Sequence, residues 1–337
     1  MANIQGRDAF FDNARAALIF LVVFGHLIHP YTSEQPFVTA IYLLIYSFHM
    51  PAFLFISGYF AKNVGREGYI EKVGKKLLGP YLIFYAFFSV YYFLTGQNSS
   101  VDLDVFSPVF ALWFLLTLFS FNVILLVVRQ FKPRYVLPIA ILVAILSGFS
   151  TNIDGYLSWS RTLVFFPVFY IGYLLNNNFS YIIRQKKYMP VSLVVMVSFL
   201  ILYYFHPIDS SWLLASSPYV QMAGFDIILS PLKRLLFYGV IFAAMMAFLN
   251  LTPEKHYWFT YIGSRTMYVY LLHGIFIGLI RGQHIYPFID AHPALGLIYN
   301  FALSCFIVWI WSTDVVAKWT SPFVQLKSPA SFTAYKK

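Results

Sequence analysis

The stretch "DNARAALIFLVVFGHLIHP", residues 12–30, is an apolar segment of membrane length that contains ionisable side chains. A helix that spans a bilayer needs about 20 mostly apolar residues, yet this one begins with Asp12 and Arg15 and carries His26 and His29 further along. A charge at the bilayer centre costs roughly 2.5 to 3.5 kcal/mol on insertion scales. These groups are therefore expected to face the protein interior or water.

The spacing of these groups predicts one polar face on the helix. Arg15 and His26 are separated by about three helical turns, which places both side chains on the same side, about 16 Å apart along the axis. Asp12 precedes Arg15 by one turn and His29 follows His26 by one turn, which extends the stripe. If Arg15 lies at the cytoplasmic edge, His26 lies near the middle of a hydrocarbon core about 30 Å thick.

The rest of the chain has the composition of an integral membrane protein. Of its 337 residues, 60% are hydrophobic and 11% are charged, against about 25% charged residues in soluble domains. The apolar runs are too long and too uniform for an outer-membrane barrel. The sequence predicts an all-α bundle of about ten membrane helices, at residues 9–30, 37–61, 77–95, 109–128, 135–150, 159–177, 189–206, 227–250, 259–280 and 295–320.

The charges between these segments predict the orientation of the bundle. Basic clusters fall at every second loop, around Lys72, Arg129 and Arg184, and such loops face the cytoplasm. Both termini are therefore predicted to be cytoplasmic, in a multi-pass protein of the plasma membrane with one domain at residues 1–325 and a short tail at 326–337. Orientation also accounts for the net charge of +10, so nucleic acid is not an expected partner.

The second predicted helix repeats the polar theme. His49 falls about 18 Å from the outer end of this helix, again near the middle of the membrane, and Ser57 follows two turns later. Pro51 removes a backbone donor and tends to kink the helix beside the histidine. We expect His26 and His49 to meet on successive antiparallel helices. A histidine in a membrane is also often a simple interhelical hydrogen bonder, so His49 alone supports either interpretation.

Several segments together resemble a known family. Besides Arg15 and His26, they are "FHMPAFLFISGYF" at 48–60, "ALWFLLTLF" at 111–119, "RTLVFFPVFYIGYLL" at 161–175 and "GSRTMYVYLLHG" at 263–274. They resemble the membrane-bound acyltransferase family 3, in its fucose 4-O-acetylase-like branch. The resemblance implies about ten helices, acetyl-CoA as acyl donor, and a hydroxyl of an envelope glycan or exopolysaccharide as acceptor. Separate glycan-assembly proteins are possible partners.

The resemblance also implies roles for particular residues. The arginine and histidine of the family's first helix fall on Arg15 and His26, and the histidine of its second helix falls on His49. Its serine-glycine element falls on Ser57 and Gly58, and its later arginine and histidine fall on Arg161 and His273.

Acyl transfer from a thioester to a sugar hydroxyl needs a base and a grip on both substrates. His26 suits the base, or a transient acyl carrier, because an imidazole accepts and returns protons near neutral pH. Arg15, oriented by Asp12, is expected to bind the phosphates of acetyl-CoA from the cytoplasmic side. Further cations lie at that face and serve either the cofactor or simple orientation: Arg7, Lys72, Lys75, Lys76 and Arg265.

Cations near the outer ends of helices contradict the orientation rule. Arg161, Lys233 and Arg234 are of this kind, and they are expected to line an outward cavity that binds an acidic or phosphate-linked glycan, with Asp226 as a counter-ion. Structural ion pairs or snorkelling to headgroups are the alternative. Trp113 is a candidate for stacking on a sugar ring. No metal site is predicted, because no carboxylate or thiol accompanies His26 and His29 at depth.

Two other classes of protein remain open on the sequence. A glycan or small-solute transporter would also bury charges, but it usually shows internal repeats and broken helices in matching positions, and neither is evident. A structural or sensory membrane protein would tolerate replacement of Arg15 and His26. The bilayer is a partner in every case.

Overall fold

The structure is a computed structural model that describes residues 7–153, 155–222, 224, 226–281 and 292–326. Within these ranges the regular elements are helices, with no strand, which confirms the all-α class. The α-helices are α1 (Ala9–Ile28), α2 (Pro36–Tyr59), α3 (Tyr69–Leu94), α4 (Trp113–Val128), α5 (Pro133–Leu146), α6 (Trp159–Leu174), α7 (Asn177–Ile183), α8 (Met189–Phe205), α9 (Ser211–Leu214), α10 (Leu229–Leu251), α11 (Thr260–Gly263), α12 (Thr266–Arg281), α13 (Pro293–Trp311) and α14 (Asp314–Val324).

Seven helical segments of the described chain are long and apolar enough to cross a membrane. They contain α1, α2, α3, α4, α8, α10 and α13, and two shorter apolar segments contain α5 and α12. Each of the ten predicted spans overlaps a helix, but the count of ten crossings and the cytoplasmic placement of both termini stay predictions. Most of the predicted tail lies outside the described residues.

Two predicted spans are broken in the structure. The segment predicted at 259–280 divides into α11 and α12 at Ser264 and Arg265. The segment predicted at 295–320 divides into α13 and α14, where the Thr313 side chain accepts a hydrogen bond from the Val316 amide and so caps α14. Capping threonines satisfy the free N–H groups of a first turn, so Thr313, which stands between Ser312 and Asp314, begins a new helix after the apolar run of α13.

Close helix contacts at glycines hold the centre of the bundle together. A Cβ atom on Gly172 of α6 would lie 2.1 Å from the Phe55 carbonyl oxygen of α2, and one on Gly58 would lie 2.0 Å from the Phe169 carbonyl oxygen. Small residues permit such approaches of two membrane helices. Gly58 of the "SGY" element therefore serves the packing of α2 on α6.

The segment between α3 and α4 folds back into the bundle. The Tyr81 hydroxyl, near the middle of α3, donates to the Val105 carbonyl at 2.6 Å. Non-helical backbone at membrane depth is tolerated where protein or a water-filled cavity surrounds it. Phe110 follows with a positive φ of 53°, after which a short turn begins α4. This path brings Phe110 to the level of His26 in α1.

Candidate active site

A cavity of about 960 Å³ opens between α1, α2, α3, α4, α12 and the end of α14. Its mouth lies at the end of the bundle that the sequence predicts to be cytoplasmic. Its wall runs from Arg15 through Ile19 to Val22 along α1, a depth of about 10 Å at 1.5 Å per residue. Met50, Phe53 and Ser57 form the α2 wall, spaced one turn apart. The lining is therefore basic at the mouth and apolar further in.

The mouth of the cavity concentrates positive charge. Arg7, Arg15, Lys72, Lys75 and Lys76 line it, with Glu71 beside them. Glu71 accepts a hydrogen bond from Lys75 at 2.5 Å on the exposed surface of α3. A cleft lined by one sign of charge attracts ligands of the opposite sign, so the mouth favours an anion. Lys76 thus lines the mouth together with Arg15, and its binding of the cofactor stays a prediction.

The carboxylate of Asp12 organises the two arginines at the mouth. Asp12 is 2% exposed and accepts hydrogen bonds from Arg7, Nε to Oδ2 at 2.8 Å and Nη2 to Oδ1 at 2.6 Å. The hydrogen bond from Arg15 to Asp12 is longer, with Nη1 at 3.4 Å from Oδ1, and the Arg15 guanidinium lies 4.7 Å from the centre of the Phe60 ring. Asp12 thus pairs with Arg15, as the helical spacing predicted, and it also holds Arg7 through two shorter hydrogen bonds.

His26 lies one turn beyond Val22, where the cavity wall ends. Its ring packs 4.9 Å from the Phe110 ring and 5.4 Å from the His273 ring of α12. His273 is fully buried, and its Nδ1 lies 2.6 Å from the Tyr270 carbonyl oxygen. A carbonyl only accepts, so Nδ1 of His273 carries the proton in this contact. Two imidazoles therefore meet directly above the cavity.

His49 is buried in α2, and its meeting with His26 stays a prediction. Its Nδ1 donates to the Ile45 carbonyl at 2.8 Å within α2, and its ring packs 4.6 Å from Tyr46. The structure brings His273, from the other end of the chain, against His26, where spacing alone had suggested His49. Met50, the next residue, faces the cavity. The buried ring of His49 is thus held by its own helix.

Arg161 and Trp113 come together beyond the histidines. The Arg161 guanidinium lies 4.6 Å above the Trp113 ring, and its Nε donates to the Leu214 carbonyl at 3.3 Å. Arg161 also interacts electrostatically with Tyr270, whose side chain lines the inner cavity. The two residues that the sequence assigned to the acceptor therefore lie side by side, across Tyr270 from the cavity.

Lys233 and Arg234 are arranged differently from the predicted outward cavity. Arg234 is 2% exposed and lies near the Trp212 and Tyr219 rings, whereas Lys233 donates to the Gly224 carbonyl at 2.6 Å. Asp226 accepts from the Leu229 and Ile228 amides at the start of α10, and these N–H groups hold the pKa of Asp226 below its usual range. Asp226 therefore caps the start of α10, and the Lys233 charge interacts with it more weakly than the two amides do.

Two further predicted residues have clear positions. Ser57 lines the cavity and donates to the Phe53 carbonyl at 2.8 Å. Arg265 is buried, donates to the Ser312 carbonyl at 2.5 Å and forms an ion pair with Asp314. The guanidinium thus ties α12 to the junction of α13 and α14, and its role at the cofactor stays a prediction. Its neighbours Ser264 and Thr266 form the cavity wall there.

The sequence interpretation missed three residues that shape the site. Asn13 is buried beside Asp12 and donates to the Pro253 and Lys255 carbonyls at 2.8 Å. Tyr270 donates to the Ala111 carbonyl and so fixes the start of α4. Phe110 packs on both His26 and His273. Two of these residues could have been found from the sequence: Asn13 is a further polar residue in the first helix, and Tyr270 lies one turn before His273. Nothing in the sequence singled out Phe110.

In the described part of the chain, no three His, Cys, Asp or Glu side chains are grouped so that they could hold a metal ion.

Comparison with known proteins identifies the family of this chain. Residues 8–326 match the family described as "Acyltransferase domain". The nodulation protein NolL of Mesorhizobium japonicum is 37% identical over 81 residues, 23% of this chain and 22% of that protein. NolL of Sinorhizobium fredii is 39% identical over 92 residues, 25% of each chain.

The chain thus spans about a quarter of the length of these curated relatives. No solved structure matches it. The family match, in contrast, covers the first helix, the cavity and the His26–His273 pair alike. The chain belongs to the acyltransferase family, as a multi-pass membrane acyltransferase.

Proposed function

We propose that this acyltransferase moves an acetyl group from cytoplasmic acetyl-CoA to a hydroxyl of a cell-envelope glycan or exopolysaccharide outside the plasma membrane. His26 handles the proton or the acyl group between the two substrates. Family membership supports the transferase activity, whereas the donor, the acceptor and the roles of individual residues are our proposal. It follows the fucose 4-O-acetylase-like branch that the sequence resembles.

One observation carries the proposal: a cavity with a basic mouth leads to within one turn of His26. Its volume of about 960 Å³ is at the upper end of the range for cofactor sites, roughly 300 to 1,000 Å³. Coenzyme A is long and carries several phosphates at one end. Arg15, Arg7 and Lys76 would hold these phosphates at the mouth, and the apolar depth beyond them suits the pantetheine arm.

The residues of the chain can perform the transfer by one of two routes. In the direct route, the imidazole of His26 takes the proton of the acceptor hydroxyl, the oxygen attacks the thioester carbonyl carbon, and the carbon–sulfur bond breaks. The protonated imidazole then returns the proton to the thiolate. In the carrier route, His26 nitrogen attacks first, releases the thiol, and passes the acetyl group to the hydroxyl oxygen.

His273 and His49 support this chemistry from different positions. His273 packs on His26 with its Nδ1 proton held by the Tyr270 carbonyl, so it is suited to orient the His26 ring and to share a proton with it. His49 is buried on the neighbouring helix, and we assign it a positioning role. Ser57 contributes a hydroxyl to the cavity wall.

The acceptor is proposed to bind beyond the histidines. Trp113 offers an aromatic face and Arg161 a cation, both across Tyr270 from the donor cavity. Aromatic rings commonly bind the apolar faces of ligands, and a few placed polar groups fix their orientation. Lys233, over the edge of Trp212, extends the positive charge on that side.

The test is transfer from labelled acetyl-CoA in membranes, comparing wild type with His26→Ala. We expect a loss of about 10²- to 10⁴-fold, the usual contribution of a general acid–base residue. His29→Ala is the matched control. His29 is the same residue type and lies one turn after His26, directly after the end of α1, but its side chain is exposed. Equal transfer by wild type and folded His26→Ala protein would overturn the assignment.

The same assay separates the two routes. The protein is exposed to the labelled donor without acceptor and then quenched. If the carrier route operates, the wild-type protein retains the label and the His26→Ala protein does not. Under the direct route neither protein retains label, while transfer to acceptor still depends on His26.

A further inference from the structure

Arg234 is a buried cation without a counter-ion in the described chain. It lies in the second turn of α10 and is 2% exposed. None of its three side-chain nitrogens has a hydrogen-bond partner among the described residues, and all three are shielded from solvent. A buried guanidinium normally has several such partners, because it carries five N–H donors and remains charged.

The surroundings of Arg234 are aromatic. Its guanidinium lies 5.2 Å from the centre of the Tyr219 ring and 5.9 Å from that of Trp212. The Tyr219 hydroxyl is close enough to interact with the cation, but it donates its own proton to the Ile145 carbonyl at 2.9 Å. The Tyr219 oxygen is then one neutral acceptor for five donors, and the aromatic faces attract a cation but supply no negative charge.

This arrangement is unfavourable for the chain alone. Burying an ion away from water carries a penalty that only a well-placed opposite charge offsets. The nearby carboxylate, Asp226, is already directed at the Ile228 and Leu229 amides. A bound molecule that carries a negative charge would supply what the described residues do not.

We propose that Arg234 is the centre of a binding site for an oxyanion, a carboxylate or a phosphate group, carried by the glycan acceptor. This inference rests on the proposed function and narrows the acceptor to an anionic glycan. The planar guanidinium matches both groups, because it can donate two parallel hydrogen bonds to one carboxylate or phosphate.

One segment links this anion site to the proposed sugar site. Residues 211–222 cover Arg234 with Trp212 and Tyr219, and the same segment contacts the start of α6. Ser160 donates to the Ala215 carbonyl at 2.8 Å, and Arg161 donates to the Leu214 carbonyl. An acceptor that binds at Arg161 through its sugar would therefore contact the cover of Arg234.

The cover must move before an anion can bind. All side-chain nitrogens of Arg234 are closed off, and Tyr219 is wedged over Gly148, where an added Cβ would lie 2.4 Å from the ring. Lifting of residues 211–222 would open a path from the outer surface to the guanidinium, past Lys233.

The test is thermal unfolding of the purified full-length protein in detergent, at constant ionic strength. The probes are inorganic phosphate, glucose 1-phosphate and glucuronate, with glucose as the neutral match. The variants are Arg234→Gln and Arg234→Lys, with the adjacent Lys233→Gln as control. We expect the anions to stabilise wild type, and their apparent affinity to fall about 10-fold or more in Arg234→Gln. Lys233→Gln should change it less than about 3-fold.

Each outcome decides the proposal. Stabilisation by glucuronate alone, by the phosphates alone or by both supports it and identifies the group. Equal stabilisation by glucose, or an unchanged anion response in Arg234→Gln, overturns it. If Arg234→Gln does not fold, Arg234→Lys replaces it, since a lysine keeps the charge but loses the paired donors. An anion response of Arg234→Lys identical to that of wild type then overturns the proposal.

The anion measurement does not depend on acetyl transfer. Failure of the proposed function would appear as absent transfer from acetyl-CoA with an intact anion response. Failure of the anion site would appear as transfer to neutral and charged acceptors alike, without the Arg234-dependent stabilisation.

Discussion

Arginines lie over aromatic rings at both ends of the bundle, but the two ends differ in whether a carboxylate also pairs with them. At the end with the cavity mouth, arginines are paired with acids: Arg7 and Arg15 with Asp12, and Arg265 with Asp314. At the other end, the described residues hold arginines on aromatic rings: Arg161 on Trp113, and Arg234 near Trp212 and Tyr219.

The difference has a physical consequence. An ion pair fixes both partners and needs nothing further, so an inner arginine can stay ordered while the cavity fills and empties. A cation on an aromatic face is positioned but not neutralised, so the outer arginines keep most of their attraction for an incoming anion. The ion pairs at the cavity mouth are therefore expected to stabilise the fold as well as to support binding. The arginines at the other end are expected to favour binding of an anion at a cost in stability.

The largest expected effect is on Asp12. Asp12→Asn removes the negative charge of the carboxylate that pairs with both Arg7 and Arg15. Loss of one partner of a buried pair costs about 3 to 5 kcal/mol, reduced here because Arg7 is 41% exposed. We expect unfolding in detergent at clearly lower temperature or denaturant concentration than wild type.

Glu71→Gln is the matched control for Asp12→Asn. Glu71 also pairs with a cation at the cavity mouth, but both side chains are exposed, and exposed pairs contribute little to stability. If Glu71→Gln destabilises as much as Asp12→Asn, burial is not what distinguishes the two pairs.

A second prediction separates Arg15 from Arg265. Arg15→Gln should raise KM for acetyl-CoA about 10- to 100-fold, the loss expected for charge-assisted hydrogen bonds worth about 1.5 to 3 kcal/mol. Arg265→Gln should lower stability instead, because it loses the Ser312 carbonyl and Asp314, with KM nearly unchanged. Steady-state kinetics and unfolding on the same preparations check both. A raised KM in Arg265→Gln alone would support its predicted role at the cofactor.

A third prediction concerns the outer end. Trp113→Ala removes the ring under Arg161, and a cation–π contact is worth about 0.5 to 2 kcal/mol. We expect KM for the acceptor to rise about 2- to 30-fold with KM for acetyl-CoA unchanged. Trp113→Phe keeps an aromatic face and should recover much of the loss. An effect on the donor KM would show that Trp113 belongs to the inner cavity.

The sequence predicted the helices and the polar face of α1 because both are local properties. Arg15 lines the cavity and His26 lies beyond its end, as their three-turn spacing implied. The sequence analysis did not predict the break before α14, which lies at the polar group Ser312, Thr313 and Asp314 and depends on one capping hydrogen bond of Thr313. The local sequence pattern therefore predicted the positions of the helices better than it predicted where they begin and end.

Partnerships between distant residues could not be predicted from spacing. Asp12 and Arg15 have helical spacing, but Arg7 competes for the same carboxylate from the segment before α1. His273 meets His26 because α12 packs against α1, a contact across most of the chain. Phe110 reaches both rings only because the segment before α4 folds inward. Such contacts depend on the assembled bundle.

The smallest expected effect, at Asp226, tests whether the outer end truly lacks a counter-ion. The Leu229 and Ile228 amides lower the pKa of Asp226, so its stabilising effect is present above the unfolded value of 3.8 and is lost as pH falls through the lower folded pKa. Asp226→Ala should lower the unfolding temperature slightly at pH 7, and the gap to wild type should narrow below pH 3.8. The anion response of Arg234 should not change, because the carboxylate caps α10. A stronger anion response in Asp226→Ala would instead identify Asp226 as a competitor for the guanidinium, and the contrast between the two ends would weaken.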